Sequence, residues 1–261
     1  MRLPLYQVDA FTDHVFGGNP AGIVPLERWL PDATMQAIAA ENNLAETAFF
    51  VREAEGYALR WFTPTVEVDL CGHATLASAH VIFERLEPKC DAIDFRTMKA
   101  GTLTVARSGN ELVMDFPARP PRPIDAPPAL EAALGKRPVA VLAARDLLAV
   151  YETERDVAAL RPDFEAIRRL DAFAVIVTAP GEREIDFVSR FFAPSQGVPE
   201  DPVTGSAHCT LIPYWAERLG KMRLRARQVS ARVGDLTCEM KGDRVAIAGK
   251  CVLYLEGTIR V

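Results

Sequence analysis

Glu46 opens the apolar run Glu46-Thr47-Ala48-Phe49-Phe50-Val51. A carboxyl set among such groups loses solvation, so its pKa is expected to rise toward neutrality, the condition for a general acid/base. A solvent-facing carboxylate on a half-buried strand fits the same pattern. His73 follows Gly72 in Cys71-Gly72-His73-Ala74, where small residues open an apolar helix. There the helix dipole opposes a second positive charge, so a neutral imidazole is expected, either facing substrate or simply capping and packing. Asp201 stands before Pro202, which restricts its backbone and can aim the carboxylate; turn aspartates share that setting. Ser206 follows Gly205 and suits either substrate binding or capping of its helix.

These residues fall in a stretch that occurs twice. Arg60–His80 reads RWFTPTVEVDLCGHATLASAH, and Arg190–Leu211 reads RFFAPSQGVPEDPVTGSAHCTL. Each copy closes a strand on two aromatics, passes a Pro and a polar loop, and reaches a Gly with small residues that open a helix. Helix starts leave backbone N–H groups unpaired and partly positive, and a Gly lets a ligand come close. Gly72 and Gly205 therefore mark two potential anion-binding ends, suited to a small carboxylate. Packing alone has no need to repeat the Gly, Pro and aromatic positions together. Such a separation implies two related halves and not a short-period solenoid.

Cys71 and Thr204 hold equivalent places in the two copies. A pair of thiols there would make a two-base racemase, each thiolate favoured by its dipole. Thr204 is a very weak base, so a symmetric two-thiol mechanism is not available, and Cys71 alone also suits a small buried residue. Histidines and cysteines show no recognisable zinc-ligand spacing, and no metal is expected. Neither a Gly-x-Gly-x-x-Gly after a strand nor a P-loop occurs, so no nucleotide cofactor is expected.

The elements that must position these groups are many short strands. The 261 residues are 49% hydrophobic and 25% charged, with net charge −5, ordinary values for a globular protein. No basic face forms, which argues against nucleic acid as a partner. No apolar run approaches a membrane span, and MRLPLYQVDAF lacks the apolar core of a signal peptide. Five cysteines without CxxC spacing read as reduced thiols in a cytoplasmic protein. Alternation predicts strands over 5–11, 21–25, 46–51, 57–62, 92–97, 101–107 and 111–116, with helices from Pro31-Asp32 to Asn42-Asn43 and over about 74–85. Pro117 to Pro128, PARPPRPIDAPP, is a Pro-rich break, and residues 118–128 of it read as a linker. Beyond it come strands over 139–143, 147–151, 172–178 and 186–192, a helical stretch over 156–166 interrupted by Pro162, and a helix from about Ser206 to Leu219, bent by Pro213 and stopped by Gly220. Four strands follow, over 223–230, 235–241, 244–248 and 250–256. Many short strands with one long apolar helix per half predict an α+β fold in which a curved sheet wraps a central helix.

The motifs DAFTDHVFGGNPAGIV, NNLAETAFF, WFTPTVEVDLCGHAT and EDPVTGSAH together resemble the PhzF-like isomerase family of phenazine biosynthesis, over nearly the full length and in order. The resemblance implies a diaminopimelate epimerase-like fold: two pseudo-symmetric halves, each a mostly antiparallel, β-barrel-like sheet around a central helix, with the active site in the cleft between them. It implies halves at 1–117 and 129–249, with the last strand, about 250–261, returning to the first. The family's characterised member isomerises trans-2,3-dihydro-3-hydroxyanthranilate without a cofactor. Carried over by motif, its acid/base glutamate falls on Glu46, its histidine on His73, and its aspartate and serine on Asp201 and Ser206. Gly72 and Gly205 would supply backbone N–H groups to a small carboxylate-bearing substrate, and a homodimer is implied. An epimerase using Cys71 with a non-thiol partner, and a non-catalytic binding module for a small molecule or a protein, remain as alternatives.

Overall fold

Alternating apolar stretches become strands in the computed structural model, which describes residues 1–261. The chain divides into two units, Met1–Asp115 with Ala248–Val261, and Phe116–Ile247. The first unit begins β1 (Arg2–Ala10), β2 (Asn19–Leu26), α1 (Asp32–Asn42), β3 (Glu46–Arg52), β4 (Tyr57–Phe62) and β5 (Glu67–Val68). It continues with α2 (Gly72–Val81), β6 (Ala92–Thr97), β7 (Thr102–Ser108) and β8 (Glu111–Pro117). The second unit holds β9 (Arg122–Pro123), α3 (Leu130–Leu134), β10 (Ala140–Ala143), β11 (Leu147–Val150), α4 (Glu154–Ala159) and α5 (Phe164–Arg168). Then come β12 (Val175–Pro180), β13 (Phe187–Ala193), β14 (Val198–Asp201), α6 (Gly205–Leu219), β15 (Arg223–Gln228), β16 (Gly234–Lys241) and β17 (Arg244–Gly249). The last strand, β18 (Cys251–Arg260), returns to the first unit and pairs antiparallel with β1 from Arg2↔Arg260 to Ala10↔Cys251.

Each unit wraps its sheet on one apolar helix. Residues 73–79 of α2 are buried, and the helix touches β1, β2, β3, β7 and β18. Ala and Ser side chains keep it thin enough for strands to approach on several sides. Its buried hydroxyls bond back along the helix, Thr75 Oγ1 to the Cys71 carbonyl at 2.6 Å and Ser78 Oγ to that of Ala74 at 2.7 Å, so neither hydroxyl is stranded. On the sheet's other side α1 lays Met35, Ile38 and Ala39 on Val24, Leu26, Phe49 and Phe62. Asn43 closes α1 in the left-handed region at φ 50°, as an Asn tolerates. In the second unit α6 stacks Trp215 on Phe187 at 5.7 Å, and the indole N–H donates to Thr178 Oγ1 at 2.9 Å.

The duplication read from the sequence is also a duplication of pairing. In the first unit β2–β3 is parallel, β3–β4 and β4–β5 antiparallel, β4–β6 parallel and β6–β7 antiparallel. In the second, β11–β12 is parallel, β12–β13 and β13–β14 antiparallel, β13–β15 parallel and β15–β16 antiparallel. Even the flanking pair recurs. As β18 lies on β1, so β9, drawn from the Pro-rich stretch, lies antiparallel on β10. That stretch is further tied down by Ala118 N–H to the Asp243 carbonyl at 2.9 Å and Arg119 N–H to the Cys209 carbonyl at 2.8 Å. The helical stretch near 156–166 is two short helices. Thr153 caps the first, and Asp163, just after Pro162, caps the second with its carboxylate on the N–H groups of Glu165 and Ala166.

Candidate active site

The first unit brings Glu46 and His73 together. Parallel pairing of β2 with β3 sets Glu46 opposite Ala21 at the mouth of β3. His73 is the second residue of α2. Glu46 Oε2 and His73 Nε2 are 3.2 Å apart, with side chains 15% and 5% exposed. The two atoms are buried yet not aligned as a hydrogen bond, and neither has a hydrogen-bond partner in the protein. The other ring nitrogen, Nδ1, is 3.1 Å from the amide nitrogen of Asn19 and 3.4 Å from Cys71 Sγ.

Electrostatics here differ from the expectation of a neutral histidine. Burial pulls the His73 imidazole down, but Cys71 and the Glu46 carboxylate favour its charged form, and its pKa stands well above the usual value. The neighbouring side chains, which a reading from the helix end alone leaves out, set this direction. Cys71, the N-cap of α2, makes no side-chain cap bond. Its thiol is pushed up to about 11, first by burial and then by Glu46. At neutral pH it is a thiol, not the dipole-stabilised thiolate that a cysteine base would need.

Glu46, Cys71 and His73 each offer a metal-ligand atom within 4.8 Å of the others. Nδ1 of His73 faces Cys71 while Nε2 faces Glu46. One ion can take only one nitrogen of a ring, so the shortest approaches of His73 to Cys71 and to Glu46 belong to opposite nitrogens and do not serve one ion together.

The second unit prepares the start of α6 differently. Thr204, its N-cap, makes no cap bond to the helix and instead donates its hydroxyl to Asp201 Oδ2 at 2.5 Å. Gln228, wholly buried on β15, accepts from Thr204 N–H at 2.9 Å and donates to the Asp201 carbonyl at 2.7 Å. Ser206 takes a hydrogen bond from Arg145 Nη2 at 3.3 Å. That guanidinium is held by Asp146 at 3.0 and 3.1 Å and lies over the Phe173 ring at 4.5 Å. His208, two residues further along α6, is pushed down to about 4 by burial, although its Nδ1 is 2.8 Å from the Thr204 carbonyl.

Both loops are clamped alike. Arg60 holds Glu67 with two bonds of 2.7 Å, and Arg190 holds Glu200 with two of 2.8 Å. Planar guanidinium-to-carboxylate pairs of this kind fix geometry as well as charge. The structure therefore groups Glu46, Gly72 and His73 in the first unit and Asp201, Gly205 and Ser206 in the second. Sequence reasoning missed Asn19, Gln228, Arg145 and both clamps, although Arg60 and Arg190 head the two repeat copies.

Comparison with known proteins gives a consistent picture. The family model for phenazine biosynthesis-like proteins, PhzC-PhzF, matches residues 8–257. An uncharacterised isomerase of Pseudomonas aeruginosa is 55% identical over 262 residues, covering 100% of both chains. A phenazine biosynthesis-like domain-containing protein of Mus musculus is 39% identical and covers 99% of each. The crystal structure of a PhzF family protein from Enterococcus faecalis superposes with TM-score 0.97 at 49% identity, covering 100% of both. A hydroxyproline epimerase from Agrobacterium vitis shares the fold alone, with TM-score 0.63 at 9% identity over 99% of this chain and 92% of its own.

Proposed function

The chain belongs to the phenazine biosynthesis-like (PhzC-PhzF) family, and from that premise we propose that it is an isomerase that moves a proton between carbons of a small carboxylate-bearing substrate. Glu46 is the acid/base. It takes a proton from one carbon and returns it at another. The observation that carries this reading is the Glu46–His73 pair, buried, 3.2 Å apart and without a hydrogen-bond partner on the facing atoms. Buried polar atoms are otherwise satisfied in native proteins, and exceptions point to function.

His73 polarises or steadies the substrate beside Glu46. Both central helices begin without a side-chain cap bond, which leaves first-turn N–H groups at Gly72 and Gly205 to receive a carboxylate or a developing enolate-like charge. The reading assigns Asp201 and Ser206 to the same substrate, on the strength of the matched repeat. Proton transfer by these side chains needs no cofactor. A homodimer in the cytoplasm is part of the reading, and light scattering on the purified chain tests the dimer.

The experiment is incubation with cyclic and acyclic amino and hydroxy acids in heavy water. Deuterium entering at a carbon position identifies chemistry and substrate class together. Turnover that survives Glu46→Gln removes the mechanism. A binding module is favoured instead if no compound exchanges and partner binding survives loss of Glu46, His73 and Asp201 together.

A further inference from the structure

Asn19 is wholly buried at the first position of β2, in the Gly-Gly-Asn-Pro turn, and its conformation is dictated by the backbone before it. Gly18 has φ +59°, and a Cβ there would come within 2.0 Å of the Ala10 carbonyl oxygen. Only glycine fits such an approach. The register Ala10↔Asn19 then delivers the Asn19 side chain to the His73 ring, where its amide nitrogen is 3.1 Å from Nδ1. On the far side of the ring, Nε2 faces Glu46 Oε2 at 3.2 Å.

A neutral imidazole carries one N–H and one bare nitrogen, and the partner of one nitrogen decides which is which. An amide N–H aimed at Nδ1 keeps that nitrogen bare and sends the ring proton to Nε2. We propose that Asn19 is the positioning residue that fixes the His73 ring against Glu46 and the substrate, accepting from Nδ1–H while the ring is charged and holding the remaining proton on Nε2 once the ring is neutral. This deepens the acid/base reading of Glu46 and rests on it. An amide also has a carbonyl end. Turned over, Asn19 accepts from Nδ1–H of the charged ring, so one residue serves both protonation states. The groups that face the ring are Asn19 from β2, Glu46 from β3 and Cys71 from the turn before α2. At 3.4 Å the Cys71 sulfur is the weaker partner of Nδ1.

The test is nitrogen-15 NMR of the full chain labelled in histidine, recorded across pH without substrate. The chain has four histidines, and His73→Gln assigns the resonance. Above the ring's titration the wild type is expected to show Nδ1 bare and Nε2 protonated. Asn19→Leu, which offers neither donor nor acceptor, mixes the two tautomers and lowers kcat by roughly tenfold with little change in KM. Asn19→Asp, close to isosteric and only an acceptor, moves the His73 titration upward. An Asn19→Leu ring spectrum and titration identical to the wild type overturn the proposal. If that variant does not fold, an unmoved titration in Asn19→Asp overturns it equally. Because the ring is read without substrate, a chain in which Glu46 proves dispensable for turnover still reports on Asn19.

Discussion

In the first unit the register Gly22↔Thr47↔Phe62 puts Glu46 just ahead of Thr47, while in the second Leu147↔Val175↔Phe192 puts Ala174 in the matching place. The next strand out reverses the contrast. Trp61 pairs with Val68, whereas its counterpart Phe191 pairs with Asp201. Asn19 and His73 correspond in the same way to Ala144 and Ser206. A duplicated scaffold has thus kept strand order, pairing sense and arginine clamps, and has let the acid-bearing positions diverge. Each unit has a carboxylate where the other has an apolar side chain. The surroundings differ too. Glu46 lies in a buried thiol–imidazole setting with unpartnered atoms, whereas Asp201 is held by Thr204 and Gln228. Frame is set by packing, which both units need, and chemistry by a few side chains that packing does not constrain.

If this division is right, Glu46→Gln should give the largest effect on turnover. Turnover is expected to fall at least roughly a hundredfold, about 2.7 kcal/mol of transition-state stabilisation, with ligand binding retained. Steady-state kinetics with titration calorimetry on one preparation decides it. Equal loss of binding would mean that the first unit is no more chemical than the second.

Opposite pH dependence is the next expectation. His73 has a folded-state pKa raised well above its usual value, so its contribution to stability is complete below about pH 6.5 and is lost as pH rises through the folded value. His208 is depressed to about 4 by burial. Its contribution is present above the unfolded value and is lost as pH falls from about 6.5 toward 4, costing about 3 kcal/mol. Denaturant unfolding across pH on wild type and His208→Gln should show the acid-side loss shrink in the variant alone.

Gln228→Leu should cost about 1–3 kcal/mol, because it strips partners from the buried Thr204 N–H and the Asp201 carbonyl. Urea midpoints measure this. A neutral result would mean that the start of α6 is held by something else. Smallest of all, Cys71→Ala should change turnover by less than roughly twofold, since a thiol with pKa about 11 is not a base at neutral pH. A large loss would revive the epimerase alternative.

Much of this was legible in the sequence because it is local. Alternation marks most of the strands, Gly220 stops α6 at φ 63°, and Glu46 is conspicuous ahead of its own apolar run. The repeat could be read because its Gly, Pro and aromatics recur together. What was not legible depends on distant pairing. Asn19 reads as a turn residue beside glycines, and nothing local reveals that 54 residues later a ring nitrogen will face it. Gln228 shares the inward phase of Leu224 and Ala226 on its strand and is completely buried, but nothing local reveals that it will meet Thr204 and Asp201 there. His73 was expected neutral from its place on a helix. The opposing carboxylate arrives from a strand whose register no spacing rule supplies.

The pairing of β18 with β1 has a consequence for how the molecule is made. On the ribosome the second unit emerges whole, in one uninterrupted segment, before residues 248–261 appear. The first unit cannot close until then, and β1 must wait with a bare edge, through the synthesis of everything between, for the strand that seals it.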